Sequence, residues 1–169
     1  MTVKRSDIEE IEMDLTGTCN LKCYICTRNF IHSQHMVKPN IRSLEEIEDQ
    51  VSTFRGLKRF FIAGTLSEPT LHPQFLEFIE FLNSRGITYE IYSNASVHDN
   101  AWWQKLGEIT RPECKAIFTV CGSTQELHEK YRVGSKLDDV LEHARAFRQN
   151  GKKNDYVQHI LFEYNKEDF

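Results

Sequence analysis

The chain has 169 residues, with 21 Lys and Arg against 25 Asp and Glu, for a formal charge of −4 at neutral pH. One domain of this length buries roughly 70% of its unfolded surface, and 40% hydrophobic with 27% charged residues is a globular composition. The mild acidity argues against generic nucleic-acid binding, no apolar run approaches the ~20 residues of a membrane span, and the opening MTVKRSDIEE lacks a signal-peptide core, so a cytoplasmic protein is expected.

Residues Glu9–Leu15 alternate, with Ile11, Met13 and Leu15 on one face, and predict a first strand. A long loop from Thr16 to Arg42 follows. Ser43 and Glu46 form a capping-box signal for a helix over SLEEIEDQVSTF. Arg59–Ala63 reads as strand two, running into GTLSEPTLHP. Pro73 suits the first turn of a helix that carries Phe75, Leu76, Phe78, Ile79 and Leu82 and ends at Gly86. Ile87–Tyr92 is strand three, Asp99–Leu106 a helix and Lys115–Val120 strand four. A broken helical region spans Gln125–Asn150, and Tyr156–Tyr164 is strand five.

Strand and helix alternate at about 30 residues per unit, the spacing of right-handed βαβ crossovers. The expected fold is α/β, a partial parallel (βα) barrel of about five strands with helices outside, in a single domain over residues 1–169. Ligands in such folds sit at the carboxyl ends of the strands. The unusual segments fall there: a cysteine-bearing loop after strand one, GTLSEP after strand two, SNAS after strand three and CGS after strand four.

Of the five cysteines, Cys19, Cys23 and Cys26 share the segment CNLKCYIC, a C-x3-C-x2-C spacing. In a reducing compartment such a cluster points to metal rather than disulfides. Three thiolates on one loop can wrap an iron–sulfur centre and leave one iron open. A structural zinc site completed by His32 or His35 is the alternative. Cys114 and Cys121 read as small buried residues, Trp102 and Trp103 as core, and His128 as the histidine to watch.

The loop CNLKCYIC resembles the signature of the radical S-adenosylmethionine (radical SAM) enzymes. SEPTLHP (Ser67 to Pro73), YSNAS (Tyr92 to Ser96) and the stretch His128 to Phe147 are similar to that family's segments after strands two, three and four. The resemblance implies a 4Fe-4S cluster on Cys19, Cys23 and Cys26, with SAM on the fourth iron. It implies Ile25 against the adenine, Ser67 and Glu68 at the SAM amino group, Arg132 at its carboxylate, and Ser93, Asn94 and Thr119 at the ribose or methionyl part. One electron from the reduced cluster would split SAM into methionine and a 5′-deoxyadenosyl radical, which abstracts hydrogen from a peptide, nucleoside or other small metabolite. A flavodoxin- or ferredoxin-type reductant is the implied partner.

This sequence departs from the family at Leu66 and Ser67, where two glycines are usual, at Ile25, where an aromatic residue is usual, and at Cys121, which stands in place of an Asp. Cys121 shares strand parity with Thr119, so both are expected on the inner side of the sheet. The family core has six strand–helix units. A chain that ends after strand five is expected to leave that strand as an edge for a partner chain to cover, or to act as a cluster- and SAM-binding subunit without turnover of its own.

Overall fold

The computed structural model describes residues 3–33 and 40–168, apart from the side chains of residues 32 and 33. Five strands form one sheet: β1 (Glu10–Glu12), β2 (Arg59–Ile62), β3 (Thr88–Ser93), β4 (Lys115–Thr119) and β5 (Asp155–Gln158). Every neighbouring pair is parallel and the spatial order is the chain order, β1-β2-β3-β4-β5. An order that never reverses sends right-handed crossovers to one side only, as in a barrel rather than a doubly wound sheet. The expected α/β partial barrel is the architecture observed.

The helices are α1 (Thr27–Ser33), α2 (Leu44–Ser52), α3 (Phe75–Ser84), α4 (Asn100–Ile109), α5 (Gln125–Tyr131) and α6 (Leu137–Arg148). Their starts follow local chemistry. Glu46 N–H donates to Ser43 Oγ at 3.2 Å while Ser43 N–H donates to the Glu46 carboxylate at 3.0 Å, the reciprocal box that starts α2. The Asp99 carboxylate accepts from Trp102 N–H at the start of α4, and Thr124 Oγ1 from Leu127 N–H at the start of α5. Between α5 and α6 the chain turns through Gly134 at φ +91°, which accounts for the break in the helical pattern.

Register sorts the strand residues by face. Phe60 pairs with Tyr89, Ile62 with Ile91, Ile91 with Ala116 and Ser93 with Phe118, so these residues share the outer face. The core lies there: Phe60 meets Phe78 of α3 edge-on at 5.3 Å, and Phe118 meets Trp103 of α4 at 5.6 Å and Phe147 of α6 at 5.7 Å. The inner face carries Arg59, Thr88, Glu90, Tyr92, Lys115 and Thr119, together with Phe61 and the buried Ile117. Glu90 accepts from Lys115 Nζ at 2.9 Å and from Tyr92 Oη at 3.1 Å. Burial alone would raise the Glu90 carboxyl, but these bonds together hold it below its usual range.

Several expectations need correction. Ladder pairing covers only Glu10–Glu12 of the expected first strand, because the chain leaves the sheet toward the cysteine loop. The expected loop Thr16–Arg42 contains helix α1. Pro73 precedes α3, whose N-cap is Gln74; Pro69 instead opens a short 3-10 turn over Pro69–Leu71. Strand five is Asp155–Gln158 and not Tyr156–Tyr164, since Asn165 accepts from Phe162 N–H and donates to the Cys121 and Ile160 carbonyls, turning the chain away. No described helix is long and apolar enough to cross a membrane.

Candidate active site at the carboxyl edge of the sheet

A cavity of about 350 Å³ opens where the loops after the strands meet. Cys19, Cys23 and Cys26 line it together, and so do Ser67 and Glu68 from the β2 loop. Ser93 and Asn94 at the end of β3, Thr119 at the end of β4, and Arg132 after α5 complete the wall. Segments far apart in sequence therefore share one space.

The cysteine loop is held from two sides. Lys22 N–H donates to Val133 O at 3.1 Å and Tyr24 N–H to Tyr131 O at 2.9 Å, docking the residues on either side of Cys23 onto the end of α5. Cys19 Sγ accepts from Leu21 N–H at 3.5 Å and from Asn94 Nδ2 at 3.7 Å. Burial pushes the Cys19 and Cys23 thiols up, partly offset by the Leu21 N–H at Cys19 and by the Arg132 guanidinium at Cys23. Such N–H groups aimed at thiolate sulfur are a usual surrounding of iron–sulfur ligands.

A family model described as the Radical SAM superfamily matches residues 13–169. The chain belongs to the radical SAM superfamily. Among proteins it resembles, the tungsten-containing aldehyde ferredoxin oxidoreductase cofactor-modifying protein of Pyrococcus furiosus is 25% identical over 97 residues, 57% of this chain and 27% of that one. SuiB of Streptococcus suis, solved bound to precursor peptide SuiA, superposes with a TM-score of 0.74 at 17% identity, covering 94% of this chain and 34% of SuiB. The anSMEcpe structure with bound AdoMet superposes with a TM-score of 0.64 at 22% identity, covering 89% and 42%. This chain thus spans about a quarter to under half the length of these relatives.

The superfamily uses a 4Fe-4S cluster and SAM. Among the described residues no three His, Cys, Asp or Glu side chains converge on a point that a single ion would fill. A tetrahedral zinc needs its thiolates gathered at ~2.3 Å around one centre, whereas each thiolate of a cluster binds a different iron. Three cysteines around a cavity of about 350 Å³ fit the cluster. Of the histidines expected for zinc, His35 lies outside the described residues and so does the side chain of His32.

Glu68 is 2% exposed. One of its oxygens accepts from Thr70 N–H, Thr70 Oγ1 and Ser93 Oγ, and the other from Asn94 N–H at 2.8 Å. Burial pushes this carboxyl up, against hydrogen bonds that favour its charged form. The side chain caps the 3-10 turn and at the same time ties the β2 loop to the end of β3. A carboxylate has about four lone-pair sites, so the Asn94-bonded oxygen keeps one for a ligand.

The two non-glycine positions are accommodated without a left-handed backbone. Gly64, at φ +57°, supplies the turn, and a Cβ there would meet Ser67 O at 2.5 Å. Ser67 Oγ donates to Asp14 at 2.6 Å, a bond that glycine lacks. Asn94 both shapes its turn, accepting from Ser96 N–H, and reaches Asn20 and Cys19 across the cavity. Thr119 Oγ1 donates to Ser93 O.

Two residues stand apart from the expected set. Ile25 is 73% exposed at φ +54° and does not line the cavity. Left-handed geometry at a β-branched residue is strained, and between Cys23 and Cys26 it turns the loop so that both sulfurs face inward while Ile25 faces out. Cys121 is fully buried and does not itself line the cavity; Val120 packs in the outer core while Cys121 lies behind the wall residue Arg132, so the alternation of β4 continues past Thr119. Its sulfur accepts from Arg132 Nε at 3.4 Å.

Sequence reasoning missed other wall residues: Arg28, Tyr92, Tyr131 and Gln158. Inward parity on β3 and β5 was the signal for Tyr92 and Gln158; Arg28 belongs to the helix read as loop.

Proposed function

We propose that this chain is the catalytic core of a radical SAM enzyme, with Cys19, Cys23 and Cys26 as the cluster ligands. The observation that supports it is the gathering of these cysteines with Ser67, Glu68, Ser93, Asn94, Thr119 and Arg132 around one cavity at the carboxyl edge of the sheet. When bound, the cluster and SAM supply a one-electron cleavage that yields methionine and a 5′-deoxyadenosyl radical able to take hydrogen from a substrate.

The chain's own residues bind and orient. Glu68, fixed by Thr70, Ser93 and Asn94, offers its remaining acceptor site with Ser67 to the SAM ammonium group. Arg132 is the cation for the SAM carboxylate. Asn94, Ser93 and Thr119 receive the ribose or methionyl part. The substrate, a peptide, nucleoside or other small metabolite, lies over the polar inner face beside Tyr92, and a flavodoxin- or ferredoxin-type protein delivers the electron.

Anaerobic reconstitution with iron and sulfide, reduction with dithionite and addition of SAM tests the reading. The expected product is 5′-deoxyadenosine. A full cluster that never cleaves SAM reduces the chain to a cluster- and SAM-binding module, and stoichiometric zinc without iron uptake supports the zinc alternative.

A further inference from the structure

Arg132 sits at the break between α5 and α6, and its position is over-determined. Its N–H donates to His128 O at 3.0 Å and its carbonyl accepts from Ser135 N–H at 2.9 Å. The carbonyls on either side of it accept the N–H groups on either side of Cys23. Backbone bonding therefore sets residue 132 opposite residue 23 before any side chain is considered.

The side chain continues the same arrangement. Nε donates to Cys121 Sγ at 3.4 Å, Nη1 lies 4.0 Å from Cys23 Sγ, and the guanidinium carbon stands 5.3 Å over the Tyr131 ring. Among the described residues no carboxylate forms an ion pair with it. A buried network fixes Cys121 in turn. Cys121 N–H donates to His128 Nδ1 at 3.2 Å, so the imidazole proton is on Nε2 and is given to Ser135 Oγ at 2.9 Å. His128 is thus neutral and adds no second charge beside the guanidinium.

A guanidinium stays protonated at any accessible pH. The potential of an iron–sulfur cluster follows its net charge and the hydrogen bonds to its sulfurs. Reduction adds one negative charge, and a fixed cation near a ligand sulfur favours that state. Resting on the cluster assignment above, we propose that Arg132 raises the reduction potential of the cluster through Cys23, and that Cys121 is the positioning residue that holds the guanidinium there. This role differs from holding the SAM carboxylate, because it operates without SAM. Nη2 stays free for a carboxylate while Nε and Nη1 are committed to sulfur.

The test is the midpoint potential of the reconstituted cluster in the absence of SAM, followed by visible absorbance and electron paramagnetic resonance, with iron and sulfide content measured on every sample. Arg132→Gln is expected to shift the potential to more negative values at full iron content. Arg132→Lys, which keeps the charge but lacks the planar fork, is expected to shift it less. Cys121→Ala retains every charge and every proposed ligand, and is expected to shift it in the same direction by releasing Nε. Should Arg132→Gln lose iron, Cys121→Ala decides. An unchanged potential in either full-iron variant, with SAM affinity alone reduced, overturns the proposal and leaves Arg132 as a SAM ligand only. Wild-type protein that binds no iron overturns both the proposal and the functional reading beneath it.

Discussion

The two faces of the sheet are built from the same strands, one residue apart, and they do opposite work. The outer face presents Phe60, Ile62, Tyr89, Ile91 and Phe118, all buried beneath helices. The inner face presents Arg59 paired with Glu10 at 2.9 Å, and Glu90 with Lys115, both ion pairs partly exposed. A parallel sheet covered on both sides reads as continuous apolar runs; β3 alternates cleanly, while the runs of β2 and β4 also put Phe61 and Ile117 on the inner face. Strand parity therefore puts most of the core under α-helices on one side and the cavity with its mainly polar approach on the other.

That separation can be broken from either side. The largest effect belongs to the outer face: Phe118→Ala, which removes the ring between Trp103 and Phe147, is expected to cost about 3–5 kcal/mol of unfolding free energy in a urea titration. Next comes the buried rim. Burial and the Arg132 charge lower the His128 imidazole to about 4. An unfolded histidine gains its proton near pH 6.5 while the folded one does not, so the unfolded state binds more protons across that window. Stability is expected to fall as pH drops from 6.5 toward 4, by about 3 kcal/mol from this group. His128→Gln should flatten that part of a stability–pH profile.

The inner face is expected to respond far less. Glu90→Gln breaks a half-exposed pair with Lys115 and should cost less than about 1 kcal/mol. A loss comparable to that of Phe118→Ala would mean that the inner face is also part of the core. Smallest for the fold is Cys26→Ala, at the entry to α1, expected within about 0.5 kcal/mol of the parent in the metal-free protein. Iron uptake in the same variant should be lost. A large stability loss there would mean that the cysteine loop supports the fold and does not merely bind the metal.

Local patterns were the reliable part of the sequence. The Ser43–Glu46 box and the helical spacing of Phe75, Phe78, Ile79 and Leu82 are written within a few residues of one another and appear as read. Element ends were less legible. Strand five extends as an alternating pattern to Tyr164, yet Asn165 turns the chain through bonds to Ile160 and Cys121, the latter 44 positions away. Helix α1 was hidden because its polar residues and single apolar stretch show no amphipathic period.

What the sequence by itself determined is the alternation of strand and helix, and with it the one-way sheet and the rim at which ligands collect. It also determined the cysteine spacing that marks the family, since both are properties of neighbouring residues. Only the tertiary structure decided how the rim is wired. It placed Arg132 on Cys23, 109 residues away in the chain, turned Ile25 outward, put Cys121 behind the wall and made Glu68 the junction of two loops. Those outcomes depend on which backbone donors and buried acceptors meet when five strands close side by side. No local pattern encodes such a meeting.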